Sequence, residues 1–256
     1  MPLLLWIILG CLISGLLSLA GGIGLLFSAS WVRRFSVHFV SFAVGALLAT
    51  AFLDLLPEAL ELGTGMTENL LMAALAGMVG FFVLESLILK FHPHHHIDDE
   101  ELHHHATPNL LMIGDTFHNF IDGVVITSAF LTSIPLGIVT SLAVAAHELP
   151  QEISDFSVML HHGWGRMKVL WINIFSSLSN IAGAVIAFFA RDYIEPRLPY
   201  LLAITAGIFI YIAAADLIPE ISHEHRRDKA SHVFVLLILG ILAVGVLRYY
   251  LEGVLE

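Results

Sequence analysis

Two short stretches of this chain carry side chains that bind transition metals. They are His118-Asn119-Phe120-Ile121-Asp122-Gly123 and His147-Glu148-Leu149-Pro150-Gln151-Glu152. Imidazole nitrogens combined with carboxylate oxygens suit Zn²⁺ and Fe²⁺ first, then Mn²⁺, Co²⁺, Ni²⁺ or Cd²⁺. On a helix, residues three and four apart share a face. Asp115, His118, Asn119 and Asp122 therefore form one polar stripe. In the second stretch His147 and Gln151 stand one turn apart, as do Glu148 and Glu152, with Asp155 a turn further on. His118, Asn119, Asp122, His147, Glu148, Gln151 and Glu152 together offer more ligands than one tetrahedral ion takes. That surplus points to two adjacent metal positions, or to a ladder along which an ion is handed on.

Both stretches lie inside long apolar runs, 109–131 and 136–160. A carboxylate at bilayer depth costs roughly 2.5–3.5 kcal/mol on insertion scales, so such groups persist there only when paired or used. The whole chain shares this character: it is 57% hydrophobic and 13% charged, with a mean hydropathy of +0.86, far from the balance of a soluble domain. A formal net charge of −11 argues against a nucleic-acid partner, which calls for a basic patch. The single cysteine, Cys11, excludes an internal disulfide and a cysteine-rich zinc knuckle.

Runs of about 20 apolar residues, the length that crosses a bilayer, occur at 3–27, 37–60, 69–91, 109–131, 136–160, 169–190, 200–221 and 232–251. The expected fold is an all-α integral membrane protein of eight transmembrane helices, with residues 1–256 as one transporter domain and 92–107 as a cytoplasmic histidine-rich loop. The first run lacks a basic leader and extends too far to be a signal peptide. Arg33, Arg34, Lys90, Arg166, Lys168, Arg226, Arg227 and Lys229 fall after odd-numbered spans, and only Arg191, Arg197 and Arg248 on the other side. Positive charge collects on the cytoplasmic side, which puts both termini outside.

A repeat links the ends of the chain. Asp54-Leu55-Leu56-Pro57-Glu58 in the second span matches Asp216-Leu217-Ile218-Pro219-Glu220 in the seventh. With eight spans these helices run in opposite directions, so spans one to three and six to eight form an inverted 3+2+3 arrangement, a recurring plan of secondary transporters with interrupted helices and a midplane site. Gly123 and Pro150 mark places where the central helices are expected to open, since Pro150 deprives the Ala146 carbonyl of its intrahelical donor. The loop histidines His94-His95-His96 and His103-His104-His105, flanking Asp98, Asp99, Glu100 and Glu101, have the composition of a metal-capturing segment. His223, Glu224 and His225 stand where metal would depart. Glu85, in the third span, has no partner readable from sequence.

The chain resembles the ZIP family of divalent metal transporters along nearly its full length. His118-Asn119-Phe120-Ile121-Asp122-Gly123 is similar to the family's fourth-helix HN-x-x-D/E-G motif. His147 to Phe156 is similar to the fifth-helix HE-x-P-H-E-x-x-D-F motif of its largest animal subfamily, and the segment from Phe209 to Glu220 also follows the family pattern. The resemblance implies a binuclear metal centre between spans four and five and metal moving toward the cytoplasm. It implies that His118, Asp122, His147, Glu148 and Gln151 line the primary site. Asn119, Asp122 and Gln151 would bound a second site with Asn173 or Ser177 of span six. Gln151 stands where the subfamily has a second histidine, and an amide is the weaker ligand. The resemblance also implies a homodimer.

The expected function is transport of Zn²⁺, with Fe²⁺, Mn²⁺ and Cd²⁺ as alternative cargoes, through a multi-pass protein of the plasma or inner membrane. The protein's partners are then divalent metal ions and the lipid bilayer, with no catalytic cofactor and no enzyme activity. The competing reading is an intramembrane metal-dependent hydrolase, because His147-Glu148-Leu149-Pro150-Gln151 begins like a zincin motif. The second histidine of that motif is absent, and proline disturbs the helix it needs. A multispan protein whose polar residues only fix helix packing is the third reading. It predicts fewer ionisable groups at midplane and no repeat.

Overall fold

The structure, a computed structural model, describes residues 2–27, 29–90, 108–219, 221 and 230–255. The histidine-rich loop at 92–107 and the group His223, Glu224 and His225 lie outside the described residues. Among those residues every regular element is helical. In chain order they are α1 (Leu3–Phe27), α2 (Ala29–Ala49), α3 (Leu56–Leu62), α4 (Thr67–Lys90), α5 (Pro108–Thr132), α6 (Ile134–His161), α7 (Arg166–Phe189), the short α8 (Arg191–Ile194), α9 (Leu198–Tyr211) and α10 (Ala230–Leu255). Six described segments are long and apolar enough to cross a membrane. The two that fall short are α5 and α6, whose hydropathy is lowered by the residues that carry the chemistry. Within the described residues the predicted apolar runs lie on helices apart from Ala190, and several helices extend past the run they contain.

The connectors are tight. Ser133 alone separates α5 from α6, and its hydroxyl caps α6 by accepting from the Leu136 amide at 3.3 Å, a role that serine fills well. Gly163, with φ of +80°, turns the chain between α6 and α7, a conformation that costs glycine nothing.

The helices that carry the repeated motif are distorted, and the central ones expected to open are not. The second span widens into a π-helical stretch at Thr50–Leu55 between α2 and α3, and the seventh does the same at Ile212–Leu217 after α9. The two stretches have the same length and align without a gap, with Asp54 and Asp216 each in fifth place. Proline follows each stretch by two residues, as Pro57 and Pro219. Because proline offers no amide donor and its ring clashes with the carbonyl four residues back, the helix before it must give way. The opening expected at Pro150 does not occur: α6 continues through that residue. A single lost bond is tolerated where the rest of a long helix is held by its neighbours.

Glycines set the closest helix crossings, where side chains are dispensed with so that backbones can meet. A Cβ at Gly45 would collide with the Leu237 carbonyl, and one at Gly240 with the Phe42 carbonyl, which pins α2 to α10. Gly207 meets the Ala74 carbonyl and Gly77 the Ile204 carbonyl in the same way, pinning α9 to α4. Gly45 precedes Asp54 by nine residues, and Gly207 precedes Asp216 by nine. Gly77 precedes Glu85 by eight, and Gly240 precedes Arg248 by eight. The repeat therefore extends well beyond five residues, and Glu85 and Arg248 hold equivalent positions within it. Gly123 and Gly183 make the third such crossing, between α5 and α7. Gly123 is thus a contact point and not a break.

Candidate metal centre

The polar stripes of α5 and α6 face one another. His118 and Asp122 come from α5, His147 and Glu148 from α6, and one ligand atom of each lies within 4.8 Å of all the others. The His118 and His147 Nε2 atoms are 3.1 Å apart. His118 Nε2 is 3.7 Å from Asp122 Oδ2 and 3.5 Å from Glu148 Oε1. His147 Nε2 is 3.4 Å from Asp122 Oδ2 and 3.9 Å from Glu148 Oε1. A tetrahedral ion bound at about 2.0–2.2 Å holds its ligand atoms about 3.3–3.6 Å apart. Five edges of the tetrahedron are thus already close to bonding dimensions.

Burial explains why these groups need a cation. His147, Asp122 and Glu148 are buried, whereas the His118 side chain keeps 15% of its exposure. Asp122 Oδ2 and both Glu148 carboxylate oxygens lack a hydrogen-bond partner, a costly arrangement in a protein interior. Two neutral imidazoles and two carboxylates around a divalent ion sum to zero charge, which removes most of the penalty of burying each charge alone. A monovalent ion would leave the centre negative. The donor set therefore fits a divalent transition metal.

The imidazoles are held by groups that do not touch the centre. His147 Nδ1 lies 3.3 Å from the Ala143 carbonyl, so a proton on Nδ1 leaves the Nε2 lone pair directed inward. Phe81 of α4 packs edge-on to the His118 ring with centroids 5.4 Å apart, and Phe209 of α9 lies 5.9 Å from the His147 ring. These aromatic walls restrict rotation of the two rings. Phe81 is not marked by sequence, because it comes from a remote helix with an ordinary apolar pattern, and Phe209 is marked only as the start of the segment that follows the family pattern.

The remaining predicted ligands occupy a neighbouring zone. The Asn119 amide donates to Asp115 Oδ1 at 3.0 Å and to the Asp115 carbonyl at 3.1 Å, so it serves its own helix. Glu152 is buried and accepts from the Ser177 hydroxyl at 3.4 Å. Asp115, Glu152 and Asp155 are within electrostatic reach of one another. Gln151 is half-buried on α6. Of the two span-six candidates, Ser177 meets Glu152, whereas Asn173 donates to the Val169 carbonyl at 2.8 Å within its own helix.

Two contacts outside the centre were not readable from sequence. The Tyr211 hydroxyl donates to Glu85 Oε2 at 2.5 Å, which supplies the partner that Glu85 lacked. Arg248 Nη1 stands 3.4 Å from Asp54 Oδ1 and also donates to the Leu53 carbonyl.

The chain is also similar in sequence to known proteins. The sequence profile described as ZIP zinc transporter matches residues 3–110 and 92–248. Zinc transporter ZIP10 of Danio rerio is 40% identical over 137 residues, covering 52% of this chain and 16% of that protein. Zinc transporter ZIP13 of Pongo abelii is 27% identical over 226 residues, covering 83% of this chain and 67% of that protein. Zinc transporter ZIP4 of Homo sapiens is 29% identical over 271 residues, covering 80% of this chain and 41% of that protein. The chain thus spans less than half the length of ZIP10 and ZIP4.

Proposed function

The chain belongs to the ZIP zinc transporter family, and from that premise we propose that it carries divalent transition-metal cations across a membrane toward the cytoplasm, with Zn²⁺ as the main cargo. The observation that carries this reading is the four-ligand centre of His118, Asp122, His147 and Glu148, preassembled between two helices. The cation exchanges its water for these ligands, crosses as a neutral complex, and leaves toward the histidine-rich loop at 92–107. Asn119, Gln151 and Glu152, together with Asp122 and Ser177, form a second metal position adjoining the first, which makes the centre binuclear. Eight spans in a 3+2+3 inverted arrangement place both termini outside, in a plasma or inner membrane, and the protein works as a homodimer. Fe²⁺ and Mn²⁺ compete for the same donors, with Gln151 weakening any preference that a histidine there would set.

Transport is favoured over hydrolysis by the position of Glu148. In a zinc hydrolase that glutamate must stand off the metal to take a proton from water. Here its Oε1 converges with the two imidazoles, 3.5 and 3.9 Å from their Nε2 atoms.

Uptake of ⁶⁵Zn²⁺ into proteoliposomes tests the reading. His118→Ala and Glu148→Ala are expected to lower flux by about tenfold or more, the scale on which even supporting residues of a metal site act. Unchanged flux in both variants overturns it. Metal must displace protons from its ligands, so equilibrium Zn²⁺ affinity is expected to fall as pH is lowered, measured by titration calorimetry in detergent.

A further inference from the structure

The repeat gives equivalent positions to Glu85 and Arg248, but only Arg248 is a cation. Its guanidinium takes two acceptors from a single π-helical turn. One is Asp54 Oδ1 at 3.4 Å. The other is the carbonyl of Leu53, which lies four residues before Pro57 and so loses the amide an α-helix would offer it. Asp54 keeps only 3% of its side-chain exposure, and Arg248 keeps 36%. A nearly buried carboxylate is thus served by an arginine that reaches in from a half-exposed position. Glu58 lies one turn beyond Asp54 and is half-buried. The Asp54 carboxylate and the Leu53 carbonyl are oxygen donors of the kind that hold divalent cations, and the guanidinium sits on both.

We propose that Arg248 is a tethered cation that occupies the Asp54 carboxylate and must be displaced by an incoming metal ion. It thereby sets the apparent affinity for transport without touching the four-ligand centre. This inference rests on the transport reading above and on the Asp54 end facing the side from which metal arrives. The competition is one of charge and geometry. Arginine stays protonated at every working pH and presents a fixed fork of donors, so it cannot leave by titration and yields only to a competing positive charge. A divalent ion brings twice the charge and accepts the same oxygens as ligands. Arg248 is therefore a positioning and selecting residue, acting through Asp54.

The test uses the full chain, with Arg248→Gln, Arg248→Lys, Asp54→Asn and the double variant Arg248→Gln with Asp54→Asn. In the ⁶⁵Zn²⁺ proteoliposome assay, Arg248→Gln is expected to lower KM about two- to fivefold, the worth of a partly exposed ion pair, with little change in maximal rate. Arg248→Lys, which keeps the charge, should stay near the parent. Asp54→Asn should raise KM, and the double variant should match Asp54→Asn. An unchanged or raised KM in Arg248→Gln overturns the proposal, as does a lowered KM that persists without Asp54. So does a fall in maximal rate shared equally by the lysine and glutamine variants, which would mark Arg248 as a structural tie. Equilibrium binding of ⁶⁵Zn²⁺ to purified protein in detergent keeps the two readings separate. If the parent shows no uptake that depends on His118, the transport reading fails. The Arg248 proposal then stands on a gain of bound zinc in Arg248→Gln that disappears in the double variant, and falls without it.

Discussion

Asp54 and Asp216 sit in matching π-helical turns, on helices pinned to their neighbours by glycines at matching distances. Around Asp54 the neighbouring helix supplies Arg248. Around Asp216 it supplies Glu85, which is bonded to Tyr211 and within electrostatic reach of Asp216. The backbone design is the same at both places, and the charge beside the aspartate is reversed. A metal ion near Asp54 meets a resident cation, whereas one near Asp216 meets a second carboxylate. Two equivalent places thus carry unlike charges, because helix packing depends on small residues at the crossings and leaves the charges free to differ.

Four substitutions would break or sharpen this contrast. The largest effect is expected where the two regions agree. Gly45→Leu and Gly207→Leu each force a side chain into a facing carbonyl and should each cost about 3 kcal/mol or more, overpacking at its severe end. Tryptophan fluorescence on heating in detergent reads the loss, and a variant that unfolds like the parent at either place breaks the equivalence. Next, Glu85→Arg copies the Asp54 environment onto Asp216. If the proposed route passes Asp216, a fixed positive charge there should lower ⁶⁵Zn²⁺ flux about tenfold, on the scale by which local fields alter cation rates. Undiminished flux in folded protein would remove the Asp216 region from the route. Smallest, Tyr211→Phe deletes the hydrogen bond to Glu85 and should cost about 1 kcal/mol. Chemical unfolding with the slope unchanged would measure it, and no shift would mean that the short bond carries no stability.

The four converging ligands were legible because helical periodicity alone puts His118 with Asp122 on one face and sets His147 beside Glu148. Their depth in apolar runs marked them as functional. Asn119 was legible as a polar residue on that face but not in its contact, since its amide turns back one turn to Asp115. Pro150 suggested a break that the continuous α6 does not make. The actual distortions came at Thr50–Leu55 and Ile212–Leu217, beside the prolines of the repeat. Phe81, which walls the His118 ring, gave no sequence signal, and the place of Phe209 in the repeat-bearing segment did not show that it packs on His147.

By itself the sequence determined that the chain is helical and apolar, that metal-binding side chains stand at helical spacing in two of its segments, and that its two ends repeat a motif. These follow from local rules: residue hydropathy, the 3.6-residue period and the chemistry of donor atoms. Only the tertiary structure decided that the two stripes close to 3.1–3.9 Å between ligand atoms, that Glu85 and Arg248 are equivalent, and that Arg248 lies against Asp54. Each of those depends on which helices cross and at which glycine, a choice made by packing between residues far apart in the chain.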